Sequence, residues 1–285
     1  MIKLLFLINL LFISLPSIAW NENTNASPRS RAMGGAGVCL KDQYSLSVNQ
    51  AAISSLGGTS FSSSFESRFI NSGISNKSIL ISSEFNKLGT FGIAVNSFGL
   101  KNYTENKFGI AFARNFGERV SIGMQINYLS TVLGENYGKT GTISAELGFL
   151  AQITPNISVA AHLFNPTRAA IASKYNEFAP TVLKFGILYK LNSRLIFTSD
   201  AEKSSNVTKP VIKAGLEYNA IKGLFLRAGF SGNPLENSFG IGYHTGNLKT
   251  DLFVAFNSRI GYSSGIGIAY ILKSKTKAVL SSDQP

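Results

Sequence analysis

Between Lys107 and Leu129 the chain alternates so strictly that few folds remain open to it. Phe108, Ile110 and Phe112, then Val120, Ile122, Met124, Ile126 and Tyr128, share one face. Gly109, Ala111, Ala113, Asn115, Ser121, Gly123, Gln125 and Asn127 share the other, and Phe116-Gly117-Glu118-Arg119 forms a tight turn between the two runs. Period-two alternation, broken by a turn and resumed, predicts a β-hairpin with one apolar face and one small or polar face. Repeated around a closed sheet with the apolar face outward, this hairpin is the unit of a transmembrane β-barrel.

The same pattern predicts strands over 59–70, 76–86, 88–98, 106–116, 118–131, 141–153 and 157–165. It continues over 180–191, 193–203, 210–219, 222–231, 238–246, 248–258 and 263–273. That is an all-β, antiparallel barrel of about fourteen strands, an even number as single-chain bacterial barrels require. Short turns are expected on one rim and longer connections, at 71–75, 99–105, 132–140, 166–179, 204–209, 232–237 and 259–262, on the other. Composition agrees. Only 15% of residues are charged, against roughly 25% in a soluble domain, and there are 21 Phe and 10 Tyr. A soluble β-sandwich would alternate too, with its apolar face inward. The leader, strand number and loop asymmetry favour the membrane.

The leader is Met1-Ile2-Lys3, an apolar run from Leu4 to Leu15, then Pro16-Ser17-Ile18-Ala19. One lysine, a short apolar core and small residues before Trp20 read as a secretory signal peptide. Asn9 and Pro16 leave it short of the roughly 20 residues that a spanning helix needs. The expected division is 1–19 signal peptide, 20–57 N-terminal segment, 58–273 barrel and 274–285 tail. A barrel inserted from the periplasm keeps its termini on that side, so both are expected there, in the bacterial outer membrane. Cys39 stands alone and reads as a small buried apolar residue.

Charge segregates by parity. Glu66, Arg68, Glu84, Glu146, His162, Lys184, Asp200, Lys213, Glu217, Arg227, His244 and Asp251 all fall opposite the aromatic face and are expected to line the lumen. A basic residue facing lipid at the midplane costs about 2–4 kcal/mol, so the membrane enforces this sorting. The net charge of +12 comes without a basic helix, a stacking motif or a clustered stripe, which argues against nucleic acid as a partner. Lipid and lipopolysaccharide headgroups are the expected neighbours of the basic turns and tail. His162 and His244 lack any flanking signature of a nucleophile or a metal site, so neither catalysis, a metal nor a cofactor is expected.

Residues 27–56 carry Met33-Gly34-Gly35-Ala36, then Asp42, then Asn49 and Ala51. They lack the G-x-G-x-x-G spacing of a dinucleotide site. The stretch resembles the N-terminal segment of the FadL family of outer-membrane barrels and the related PorV/PorQ-type proteins. Gln43 and Gln50 stand where an Asp and a Pro are frequent there. The resemblance implies fourteen strands and a plug in the barrel mouth carrying Met33, Gly34, Gly35, Asp42 and Asn49. It leaves two functions open. One is passage of a hydrophobic small molecule, with Phe164 beside the 165–179 loop and Ile171, Tyr175 and Phe178 within it as contacts. The other is a docking or accessory barrel that partners proteins of a type IX secretion system.

Overall fold

The computed structural model describes residues 25–70, 72–85, 88–134, 138–172 and 177–272. The expected signal peptide and the tail from 273 onward lie outside the described residues. The strands are β1 (Thr59–Arg68), β2 (Ile74–Phe85), β3 (Gly89–Leu100), β4 (Tyr103–Phe116), β5 (Val120–Leu133), β6 (Gly138–Gln152) and β7 (Ile157–Phe164). A small hairpin follows, β8 (Ala170–Ala172) with β9 (Glu177–Phe178). The second half holds β10 (Val182–Lys190), β11 (Leu195–Ser204), β12 (Val211–Ile221), β13 (Leu224–Ser231), β14 (Glu236–Thr245), β15 (Leu248–Asn257) and β16 (Gly261–Leu272).

All strands but β8 and β9 form one closed antiparallel barrel of fourteen, each paired with its neighbour in the chain. β7 meets β10 across the long connection, with Val182 opposite Phe164. The ring closes between β1 and β16, from Thr59 opposite Leu272 to Ser67 opposite Ser264. No helix among the described residues is long and apolar enough to cross a membrane. The strands carry the exposed apolar side chains, Ile79, Ile126 and Ile143 among them.

Parity decides what each side chain meets. On the outer wall Ile79, Ile110, Ile126, Ile143, Phe185 and Ile241 are exposed, while Leu80, Ala111, Gln125, Asn127, Ser144 and Glu146 between them are buried. Tyr189, Tyr218, Tyr243 and Tyr270 stand exposed near strand ends on the rim where β1 begins and β16 ends. This arc of amphipathic aromatics at the edge of an apolar belt, carried on β10, β12, β14 and β16, matches the interface between hydrocarbon and headgroups.

Two expected longer connections shorten. The one anticipated over 132–140 lies between Leu133 and Gly138, since Val132 pairs with Lys139 and Leu133 with Gly138. The longer connection anticipated over 99–105 is a turn of Lys101 and Asn102, because Leu100 pairs with Tyr103. Thr104, Glu105 and Asn106 lack apolar alternation, yet their backbones pair with Val132, Thr131 and Ser130 of β5. Backbone pairing continues where side-chain patterning stops. The rim asymmetry consequently rests mainly on the single connection over 165–181.

Before β1, residues 25–56 form an inner segment. A short helix, α1 (Pro28–Ala32), begins with the Ser27 side chain accepting from the Ser30 N–H and Pro28 in its first turn, both favourable there. Two 3₁₀ turns follow, Ser45–Ser47 and Gln50–Ser55. α1 packs on β13 to β16, and the second 3₁₀ turn packs on β3 to β6. One segment that touches opposite sectors of a closed ring, with its residues almost wholly buried, lies inside it.

The outer wall can be tested directly. Ile126→Arg, at an exposed mid-strand position, is expected to lower stability by about 2–4 kcal/mol in equilibrium unfolding from phospholipid vesicles. Glu118→Arg, in the β4–β5 turn, should shift it by no more than about 0.5 kcal/mol.

Candidate functional site

The inner segment is seated by glycines of the wall. A Cβ added to Gly229 would lie 2.2 Å from the Met33 carbonyl carbon, and one on Gly215 2.3 Å from Met33 Cβ. On the opposite sector, a Cβ on Gly123 would meet the Ala51 nitrogen at 2.5 Å, and one on Gly148 the Asn49 Oδ1 at 2.2 Å. Gly34 answers from the segment's side. It adopts φ +70°, and its backbone comes so close to Phe230 that a side chain would strike the Phe230 carbonyl.

Polar groups fix the register. Gly34 donates its N–H to Ser238 Oγ, and Gly37 and Val38 donate theirs to Asp200 Oδ2 at 2.6 and 3.0 Å. Asn49 accepts from the Ala51 N–H and donates to the carbonyls of Val38 and Phe149, so one amide joins both halves of the segment to β6. Asp42 accepts from the Tyr44 N–H and pairs with Arg29 at 3.3 Å. Met33 is fully buried against the wall, and Gly35 lies beside the Lys213 side chain.

Three charge clusters join segment to wall. In the first, Glu146 is wholly buried, receives Lys107 Nζ at 3.1 Å, meets His162 Nε2 at 2.9 Å, and accepts from Asn127 and Gln50. In the second, Arg29 grips Glu217 with two nitrogens. Arg227 bridges Glu217 and Asp251, and His244 approaches Asp251 at 3.4 Å. In the third, Arg31 joins Glu66 and Glu236 while Arg68 also reaches Glu66. Lys184 and Lys213 share Glu202. Burial alone would lower the Arg29 pKa, but the Glu217 and Asp42 carboxylates outweigh it and hold the guanidinium above its ordinary range. Burial, with Asp200 nearby, pushes the Cys39 thiol well up, leaving little of the reactive thiolate.

Of the charged residues sorted by parity, Glu84 stands apart. It accepts from the Gly58 N–H at the rim where the segment enters β1. Asp200 accepts from the Gly37 and Val38 N–H groups and has no cation within ion-pair distance among the described residues, and the remainder fall into the clusters above. Reading by parity left out Lys107, Glu202 and Glu236, although Lys107 shares the parity of Gly109. Arg29 and Arg31 lie outside the strands, where parity is silent. In the long connection Phe164 is buried, and Ile171 packs on the cluster of Leu129, Phe164, Ala179 and Val182. Phe178 is partly exposed beneath the Arg168 guanidinium. Tyr175 lies outside the described residues.

In the outer wall an apolar groove of about 600 Å³ is lined by Phe65, Phe239, Leu252, Phe253 and Ile266, among others. Phe65 and Phe253 also line a narrow cleft beside Pro28, Arg31 and Glu66. The Arg31 guanidinium sits over the Phe253 ring at 5.4 Å.

No sequence-family model and no curated protein matches the chain. Solved structures do. The toluene transporter TodX of Pseudomonas putida superposes with a TM-score of 0.72 at 12% identity, over 89% of this chain and 100% of that one. The monoaromatic hydrocarbon channel CymD gives 0.67 at 13%, over 88% and 99%. A Pseudomonas aeruginosa FadL homologue gives 0.63 at 10%, over 86% and 98%. The chain has the fold of the FadL-type barrel.

Three variants probe the filled lumen and its rim. Glu146→Ala strands Lys107 without its counter-charge and is expected to cost about 3–5 kcal/mol, read from denaturant midpoints in detergent. Glu84→Ala at the rim should cost less. Gly229→Val is expected to push Met33 from its seat while the barrel stays closed. Trypsin would then cut after Arg29 or Arg31 in heat-modifiable protein, and spare the unaltered chain.

Proposed function

We propose that this chain is a bacterial outer-membrane barrel that passes a hydrophobic small molecule, with residues 25–56 as its plug. The observation that carries this reading is the position of Phe253. Its ring, with that of Phe65, borders both an apolar groove open to the outer wall and the cleft beside the plug. A lumen crossed by ion pairs is a poor path for an apolar solute, whereas a groove in the wall meets such a solute where it dissolves. The hydrocarbon transporters that share the fold support the same substrate class. The rim of short turns and tyrosines faces the periplasm in this reading. The plug rises from it toward Asn25, which lies beside the β13–β14 turn at Asn233 and Pro234.

A docking barrel of a type IX secretion apparatus is the second reading. One observation favours it. The described part of the long connection is packed on itself, with Asn165 donating to the Ala179 carbonyl and Ile171 against an apolar cluster.

Single-channel recording of the whole protein and of a form lacking residues 25–56 separates the two. Discrete channels only after deletion are the expected result and identify the plug. Silence from both forms, each folded and inserted, would favour docking. Toluene uptake into proteoliposomes should rise severalfold on Phe253→Ala if the groove is the route.

A further inference from the structure

On the rim opposite the tyrosines the lumen opens into a polar vestibule of about 240 Å³. Its lining includes Arg31, Arg68, Lys184 and Lys213 against Glu202 and Glu236, with Asn233 and Asn257 among the neutral polar groups. The lining is rich in donors. Each ammonium offers three N–H bonds and each guanidinium five. The acceptors are shared thinly. Glu202 serves both Lys184, at 3.3 Å, and Lys213, at 2.7 Å. Glu66, set behind the wall of the vestibule, serves both Arg31 and Arg68. Arg31 Nε is buried with no hydrogen-bond partner among the described residues. Asp200 lies near the two lysines; its Oδ2 is taken by the Gly37 and Val38 N–H groups, while its Oδ1, like Glu66 Oε2, has no hydrogen-bond partner among the described residues.

We infer that this vestibule binds a compact, oxyanion-bearing solute, a polycarboxylate or a phosphate. The lining carries more N–H donors than carboxylate oxygens, and an oxyanion adds acceptors whose charge-assisted bonds to Arg and Lys are the strong ones. The space suits a small solute with little hydrocarbon, so the ligand differs in class from the one proposed for the wall groove. The two proposals stand or fall separately.

Glu202 sets the sign of the test. It is an internal competitor, occupying the lysines that the solute would use. Titration calorimetry of the full chain in detergent, at constant ionic strength in chloride, would use citrate and inorganic phosphate as probes and toluene as a neutral control. The expected result is saturable binding of citrate or phosphate, weakened about tenfold by Lys213→Gln, retained in Lys213→Arg, and tightened severalfold by Glu202→Gln. Citrate alone binding would assign a carboxylate solute, and phosphate alone a phosphate or a lipid-borne phosphate group. A merely structural role for these residues would weaken binding in both Gln variants. No heat of binding from either probe to folded protein, or equal affinity in all variants, overturns the assignment. Should Lys213→Gln not fold, the direction of the Glu202→Gln shift decides.

Discussion

Everything in this molecule follows from the pairing of β1 with β16. In hydrocarbon an unpaired N–H or C=O costs several kcal/mol, so a sheet that enters the membrane can leave no edge. Once Thr59 to Ser67 pair with Leu272 to Ser264, side chains can point only toward lipid or toward the lumen. The membrane then selects the outer set. The inner set is left to glycine, alanine, serine, asparagine and charge.

A ring of fourteen strands encloses more space than such small residues fill. The inner segment supplies the missing volume, and the wall glycines mark where its backbone lies closest. Burying charges there is costly unless each finds a partner, and removing one partner leaves the other stranded. Glu146 and Glu217 each join a wall cation to a group from the segment, Gln50 in one case and Arg29 in the other. Such bonds add little net stability over an apolar filling. They fix where the segment sits, because a shift of one residue would misplace every charge together.

The strands were legible because hydrophobic period two and the membrane's sorting of charge act within single strands. The strand number and the outer face follow from alternation of the kind seen at Phe108 and Ile126, repeated strand by strand, and the inward turn of Glu146, His162 and Asp200 from the parity of their own strands. What parity cannot show is pairing across distance. Lys107 and Glu146 meet only because β4, β5 and β6 lie side by side in one register. Arg29 and Arg31 belong to a five-residue helix with no membrane-facing side, so no periodic signal marked them. The connection misplaced at 99–105 failed for the converse reason. Thr104 to Asn106 are polar on both faces, yet their backbones are as firmly paired as any.

Arg31 is where the two proposed ligand chemistries touch. Its guanidinium pairs with Glu66 and Glu236, lies over the Phe253 ring and lines the polar vestibule. A cation over an aromatic face is held by about 0.5–2 kcal/mol, depending on how far water is excluded. An oxyanion entering the vestibule competes for the same guanidinium and so draws it from Phe253. By linkage, a hydrocarbon that displaces Phe253 must change the affinity of the anion by the same factor. One side chain of the inner segment thus connects a polar mouth to an apolar wall, and the two faces that the barrel keeps apart along every strand meet at that point.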